Sequence, residues 1–238
     1  SDSALKNILK AQEIYKEINQ IEKVILCDII KGAIFEKIGD SKRALNEYRS
    51  AYETSKKIKL YEIAFISRLA QFDLSENTAV RFPVSEFSTL VQQIENPSIK
   101  GYAFLLINKR RNALTNIAPS TDLLDSAQNV YASEALYIEE IDVIIQKARL
   151  YEKLNNVEKV IQLNELIYQK SITYNYGNGL IFSCHKLSDF FESINEFEWA
   201  NIYLRYLNQI KTAEGEKELA ERVLLAEKEK KMDLERMV

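Results

Sequence analysis

The chain of 238 residues has few side chains of the kinds that catalysis or metal binding requires. Its one histidine, His185, excludes any site built from several histidine ligands. Cys184 precedes this histidine, but neighbouring side chains on a helix do not face each other, so a reactive cysteine–histidine pair is not expected. We predict instead that Cys184 is buried and that His185 lies on a binding face.

The only glycine-rich stretch, Tyr174–Gly179, lacks the lysine and the Ser/Thr of a phosphate-binding loop. We predict that it is a turn linking two helices. The sequence has no Cys-x-x-Cys motif, and Cys27 and Cys184 are expected to be separate buried side chains rather than a disulfide. Acidic pairs such as Glu139-Glu140 are typical of solvated helix faces. The sequence therefore predicts no catalytic residue, no metal and no cofactor.

Lys109, Arg110 and Arg111 form the one compact basic cluster. They are either part of a solvated helix surface or an anchor for a carboxylate or an acidic peptide, because arginine offers a two-pronged donor that matches a carboxylate. Either interpretation requires a helix that presents the cluster.

The composition indicates which elements position these residues. Hydrophobic residues make up 46% of the chain and charged residues 28%, but there are only six glycines and three prolines, which favours helices over strands and their many turns. The net charge of −3 gives no bias toward nucleic acid, so no direct nucleic-acid contact is expected. No apolar run approaches the roughly 18 residues of a membrane span, so no membrane insertion is expected.

The clearest internal pattern lies between residues 25 and 58. A small residue and an aromatic on one helix precede a turn, and small and aromatic residues follow on the next: Gly32, Phe35, Gly39, Ala44, Tyr48 and Ala51. The small residues let two antiparallel helices approach closely, and Asp40 or Ser41 can cap the second helix. This pattern resembles a tetratricopeptide repeat, with Asp28, Lys31 and Lys56 departing from the family's Trp, Leu and Pro.

The turn recurs at even spacing. With Gly39 as the marker, equivalent turns are predicted at Asn77, Asn116, Asn155 and Asn195, a residue type that suits the left-handed end of a helix. The resemblance implies an all-α, right-handed superhelix of about five helical hairpins. We predict one repeat domain over 1–213, with a half-repeat at 2–19 and repeats at about 22–58, 59–96, 98–132, 134–173 and 177–212.

Both ends suggest a piece of a longer protein. Residues 2–19 have the pattern of a second repeat helix, so they are either a capping helix or the remainder of a cut repeat. Residues 214–238 are highly charged and are predicted to form a long helix. That helix is either an end cap or a linker to a further domain, and it could also support a homodimer.

In tetratricopeptide repeats the first helix of each repeat lines a concave groove that binds peptides. Carrying this over by resemblance assigns to the groove Ser67, Arg68, Gln71, Arg110, Gln146, Arg149, His185 and Asp189. The resulting groove is basic in its middle, which suggests a ligand with a central carboxylate. Replacing Arg110 and Arg149 by Glu is then expected to abolish binding.

The leading hypothesis is a non-catalytic protein- or peptide-binding domain. Its degenerate repeats of 35–40 residues and its charged final helix resemble the repeat-containing sensor regions of bacterial transcription regulators and histidine kinases. The alternatives are an intracellular regulator that senses peptides and a structural scaffold or adaptor. The sensor hypothesis implies a periplasmic location and the others a cytoplasmic one.

Overall fold

The computed structural model describes residues 2–75, 82–114 and 120–213. Every regular element in these ranges is an α-helix, so the all-α prediction is confirmed. The helices are α1 (Asp2–Glu17), α2 (Ile21–Lys37), α3 (Ser41–Lys57), α4 (Tyr61–Leu74), α5 (Val84–Gln92), α6 (Pro97–Leu114), α7 (Asp122–Ser133), α8 (Tyr137–Lys153), α9 (Val157–Thr173), α10 (Gly177–Ser193) and α11 (197–213). The long helix predicted for residues 214–238 lies outside the described residues.

The chain forms two compact units, Ser1–Glu134 and Ala135–Val238, called here the N-terminal unit and the C-terminal unit. In the N-terminal unit each helix from α1 to α7 packs against the next along the chain. In the C-terminal unit α8 packs on α9 and α9 on α10, with a smaller contact between α8 and α10. Packing between consecutive helices is what a stack of helical repeats requires.

The first hairpin has the close approach that its residues predict. Phe35, Ala44 and Tyr48 form one buried cluster between α2 and α3. A Cβ atom on Gly32 would lie 2.6 Å from Cε1 of Tyr48, so only glycine leaves room for that ring. The predicted roles of these four residues are confirmed.

The next two hairpins are held by other residues. In the second, four phenylalanines on and beside α4 and α5 pack edge to face or stacked, with the rings of Phe72 and Phe82 4.9 Å apart and those of Phe82 and Phe87 4.7 Å apart. In the third, Gly101 on α6 lies directly against the ring of Tyr131 on α7. The contact between a glycine and a tyrosine ring, Gly32 with Tyr48 in the first hairpin, therefore occurs again in the third hairpin. The sequence pattern does not indicate this second position.

The turns share one conformation. Gly39, Asn155 and Asn195 have φ values of 81°, 53° and 63°, which confirms the predicted left-handed turns. Asn77 and Asn116 lie outside the described residues. Left-handed residues also occur between hairpins, at Asn19, Lys59, Ala135 and Asn175, so that the turns recur every 20 residues within each run.

Hydrogen bonds close these turns in one manner. The N–H of the residue after the turn donates to the carbonyl five residues earlier, as Asp40 does to Phe35 at 2.9 Å and Asn156 does to Tyr151 at 3.0 Å. The carboxylate of Asp40 also accepts a bond from the N–H of Arg43 at 2.9 Å, which confirms its predicted role as the cap of α3.

The glycine-rich stretch differs from the prediction. Only Tyr174, Asn175 and Tyr176 link two helices, because α10 begins at Gly177. Gly179 lies inside α10, where an added Cβ would collide with Oγ of Ser171 on α9. This glycine therefore serves close helix packing rather than a loop.

Candidate functional site

In the N-terminal unit, the predicted groove residues of α4 are bound to the rest of the chain. Arg68 donates to both carboxylate oxygens of Glu86 on α5, at 2.6 and 3.1 Å. The amide of Gln71 donates to the backbone carbonyl of Tyr48 at 3.0 Å. Ser67, assigned to the groove by resemblance, is instead fully buried, so that assignment is wrong. Arg68 and Gln71 thus connect α4 to α5 and to α3, respectively.

Arg110 also has a partner within the chain. Its guanidinium donates to a carboxylate oxygen of Asp73 on α4 at 2.5 Å. Burial raises the pKa of Asp73, and Arg110 only partly opposes this effect. Asp73 thus neutralises the charge of Arg110, so this arginine attracts a ligand carboxylate less than an unpaired one would.

The other members of the basic cluster divide between surface and interior. Lys109 is exposed, whereas Arg111 is buried and donates to Asp122 at 2.7 Å and to the carbonyl of Ser120 at 2.9 Å. Burial of Asp122 opposes its ionisation, but hydrogen bonds from Ser120 and Arg111 outweigh burial and lower the pKa of this carboxyl group. Arg111 thus fixes the start of α7.

The C-terminal unit contains an open cleft between the first helices of two successive hairpins, α8 and α10. Its volume is about 500 Å³. We call it the α8–α10 cleft, and its lining residues are Asp142, Ile145, Gln146, Arg149, Tyr176, Asn178 and Phe182. Two of the predicted groove residues, Gln146 and Arg149, are among them.

Arg149 is the cation that faces this cleft. It is exposed, and its guanidinium lies 5.2 Å from the centre of the Phe182 ring, which stabilises it through a cation–π contact. Within the described residues it makes no ion pair, in contrast to Arg68 and Arg110. The cleft therefore offers a positioned guanidinium with free donors beside an apolar surface.

The acidic residue of the cleft is already engaged. The hydroxyl of Tyr176 donates to Asp142 at 2.7 Å, and burial together with this bond raises the pKa of Tyr176. Phe182 and Tyr176 also pack on the core cluster of Ile141, Ile144 and Ile145, which holds the cleft wall in place. Tyr176 thus holds one carboxylate oxygen of Asp142, and Arg149 is the cation among the residues that line the cleft.

His185 and Asp189 lie on α10 beyond the cleft. Both are exposed, and they follow Phe182 by one and two helical turns, so they continue the same face of the helix. Cys184, beside His185, is fully buried as predicted, and burial raises the pKa of its thiol to about 11. A thiol with this pKa stays protonated at neutral pH.

Sequence reasoning missed three residues that line the cleft, Tyr176 in the turn before α10 and Asn178 and Phe182 on α10. The glycines around Tyr176 and Asn178 predict a linking turn, which is correct for Tyr176 and wrong for Asn178, because Asn178 lies in the first turn of α10. The available signal was Phe182, which lies three residues before His185 and so shares its helix face.

Further observations concern metal sites, membrane-spanning helices and related proteins. Within residues 2–75, 82–114 and 120–213, no group of three or more His, Cys, Asp or Glu side chains is placed to hold a metal ion. In the same ranges no helix is both long and apolar enough to cross a membrane. No protein-family model matches the chain, and no curated protein matches it either.

Proposed function

We propose that the chain is a non-catalytic, tetratricopeptide-like repeat domain that binds a peptide or an extended segment of a partner protein. The observation that carries this proposal is the α8–α10 cleft, in which Arg149 lies against the Phe182 ring and forms no ion pair within the described residues. The first helices of successive hairpins form this cleft, as they form the binding groove in the resembled family. In this proposal Arg68, Gln71 and Arg110 of the N-terminal unit hold neighbouring helices together and do not bind the ligand.

The lining of the cleft indicates the ligand chemistry. Arg149 suits a carboxylate, from an acidic side chain or a chain end, because its guanidinium can donate two parallel hydrogen bonds. The amides of Gln146 and Asn178 suit the backbone of an extended peptide. Ile145 and Phe182 offer an apolar wall for one side chain of that peptide.

A peptide selection tests this proposal. A displayed library of random heptapeptides would be selected on the chain 1–238, and the affinity of synthetic winners would be measured by calorimetry. We expect acidic winners, with affinity falling at least about tenfold in Arg149→Glu, because the ligand carboxylate would then face a like charge. Arg205→Glu is the matched control, since Arg205 is exposed on α11 outside the cleft.

Two results would count against the proposal. One is equal affinity of the selected peptides for Arg149→Glu and wild type. The other is a selection that yields no specific binder. Arg110→Glu tests the sequence prediction that Arg110 binds the ligand together with Arg149. The new glutamate would face Asp73, so we expect lower stability and unchanged peptide affinity.

The proposed biological role is the sensor or interaction part of a bacterial transcription regulator or two-component signalling protein. The support is the resemblance of the repeat pattern and of the charged segment 214–238. An intracellular peptide-sensing regulator and a scaffold remain the alternatives. The full gene product distinguishes them: a membrane span and an output domain after residue 238 favour the sensor, which would be periplasmic, and a cytoplasmic chain without them favours the others. Sedimentation tests the homodimer proposed for 214–238.

A further inference from the structure

A second pocket in the C-terminal unit lies between α9 and the C-terminal half of α10, where the turn after α8 closes one side. Its volume is about 220 Å³. The lining is mainly apolar, from Val157, Val160, Ile161, Leu187 and Phe190. It shares no lining residue with the α8–α10 cleft, so an inference about it is independent of the proposed function.

One buried polar side chain lines this pocket and has a side-chain oxygen without a hydrogen-bond donor. Asn164 is 1% exposed, and its amide N–H donates to the backbone carbonyl of Val160 at 2.8 Å. That bond fixes which end of the amide is oxygen, because the reverse orientation would place two acceptors together. Its Oδ1 accepts no hydrogen bond from any described residue. A buried acceptor left without a donor is costly, so a ligand that donates a hydrogen bond to this oxygen would remove that cost.

The charged groups at the pocket neutralise each other. Glu152 and Lys186 both line it and form an ion pair of 2.8 Å with each other. The pair leaves no unpaired charge at the pocket to attract a charged ligand, whereas a neutral ligand needs none. The pocket thus favours a neutral molecule with an apolar body.

The volume of the pocket limits the size of the ligand's apolar part. A pocket of 220 Å³ is smaller than the roughly 300 Å³ at which sites for drug-sized ligands begin, but larger than the roughly 150 Å³ cavity that admits benzene. We propose that the pocket binds a neutral single-ring aromatic group with one hydrogen-bond donor, of the phenol type, which donates to Oδ1 of Asn164. This group can be a free small molecule or the tyrosine side chain of a bound peptide.

Methyl NMR on the full chain tests this proposal. With Ile, Leu and Val methyl groups labelled, phenol would be titrated against toluene, which has a similar ring but no donor. We expect saturable shifts at the methyl groups of Val157, Val160, Ile161 and Leu187, with phenol bound more tightly. N-acetyl-tyrosinamide forms a third arm: shifts with it as well assign the pocket to peptide side chains, and shifts with phenol alone assign it to free molecules.

A variant isolates the hydrogen bond. Asn164→Leu keeps the shape of the side chain and removes the acceptor, so the ratio of the toluene to the phenol dissociation constant should fall about tenfold. Gln169→Leu is the control, because it removes an exposed amide from the same helix more than one turn away, and the ratio should stay at the wild-type value.

Three results would overturn the proposal. The first is the absence of shifts at these methyl groups with every probe. The second is toluene binding to wild type as tightly as phenol, which needs no variant to establish. The third is a folded Asn164→Leu chain that retains the wild-type ratio.

Discussion

At the scale of single residues, the two residues that depart from the repeat pattern on α2 form an ion pair with each other. Asp28 and Lys31 stand where the resembled family has Trp and Leu, and both are only 8% exposed. They form an ion pair of 2.8 Å, and Lys31 also pairs with Glu47 on α3 at 2.8 Å. Gln12 on α1 donates to Asp28 at 2.6 Å. A polar network therefore joins α1, α2 and α3 where the family uses apolar packing.

This network predicts a large effect for a single substitution and a smaller one for a double. Lys31→Leu leaves Asp28 buried without its cation and should lower the free energy of unfolding by about 3 kcal/mol. Asp28→Leu combined with Lys31→Leu removes the buried unpaired charge and should recover part of that loss, although Gln12 and Glu47 lose their partners. Urea denaturation of the three chains measures both. A double variant no more stable than the single one would contradict this account.

At the scale of elements, the turns were partly predictable. The turns at Gly39, Asn155 and Asn195 can be recognised in the sequence, because glycine and asparagine tolerate positive φ better than other residues. Lys59 and Ala135 adopt the same conformation, with φ of 62° and 56°, although their types give no such signal. Lys59 lies between α3 and α4, which pack against each other, and packing of this kind cannot be read from one residue type.

The two kinds of turn residue predict opposite effects on stability. Ala135→Gly removes the steric cost of a Cβ atom at positive φ and should raise the free energy of unfolding by about 0.5 kcal/mol, after the loss from a more flexible unfolded chain. Gly39→Ala introduces that cost at φ 81° and should lower it by about 1 kcal/mol. Thermal unfolding monitored by circular dichroism gives the sign of each, and equal signs would refute the explanation.

The candidate site was predictable only in part. The resemblance assigned Gln146 and Arg149 to one groove, and both line the α8–α10 cleft, as residues three apart on a helix can. Spacing could not tell which arginine has a counter-ion. Arg110 and Asp73 are 37 residues apart and come from different hairpins, so their pairing depends on how the helices pack. The resemblance therefore predicts a basic groove, and of its three arginines Arg149 is the one that forms no ion pair within the described residues.

At the scale of the whole molecule, each compact unit has a buried core of its own. The core of the C-terminal unit includes Ile141, Ile144, Ala148 and Ile167, all fully buried. In the N-terminal unit the fully buried side chains include Ile107 on α6. Repeat stacks are held by contacts between neighbouring elements, so a local change spreads only as far as those contacts are cooperative.

Hydrogen exchange on the intact chain tests whether the two units open separately. Ile141→Ala should cost about 3 kcal/mol, and we expect lower amide protection through α8, α9 and α10 with α2 and α3 unchanged. Ile107→Ala is the reciprocal control and should lower protection only in the N-terminal unit. If either variant lowers protection in both units equally, the chain unfolds as one cooperative body. Separate opening would instead allow the C-terminal unit to rearrange around a ligand in the α8–α10 cleft while the N-terminal unit stays folded.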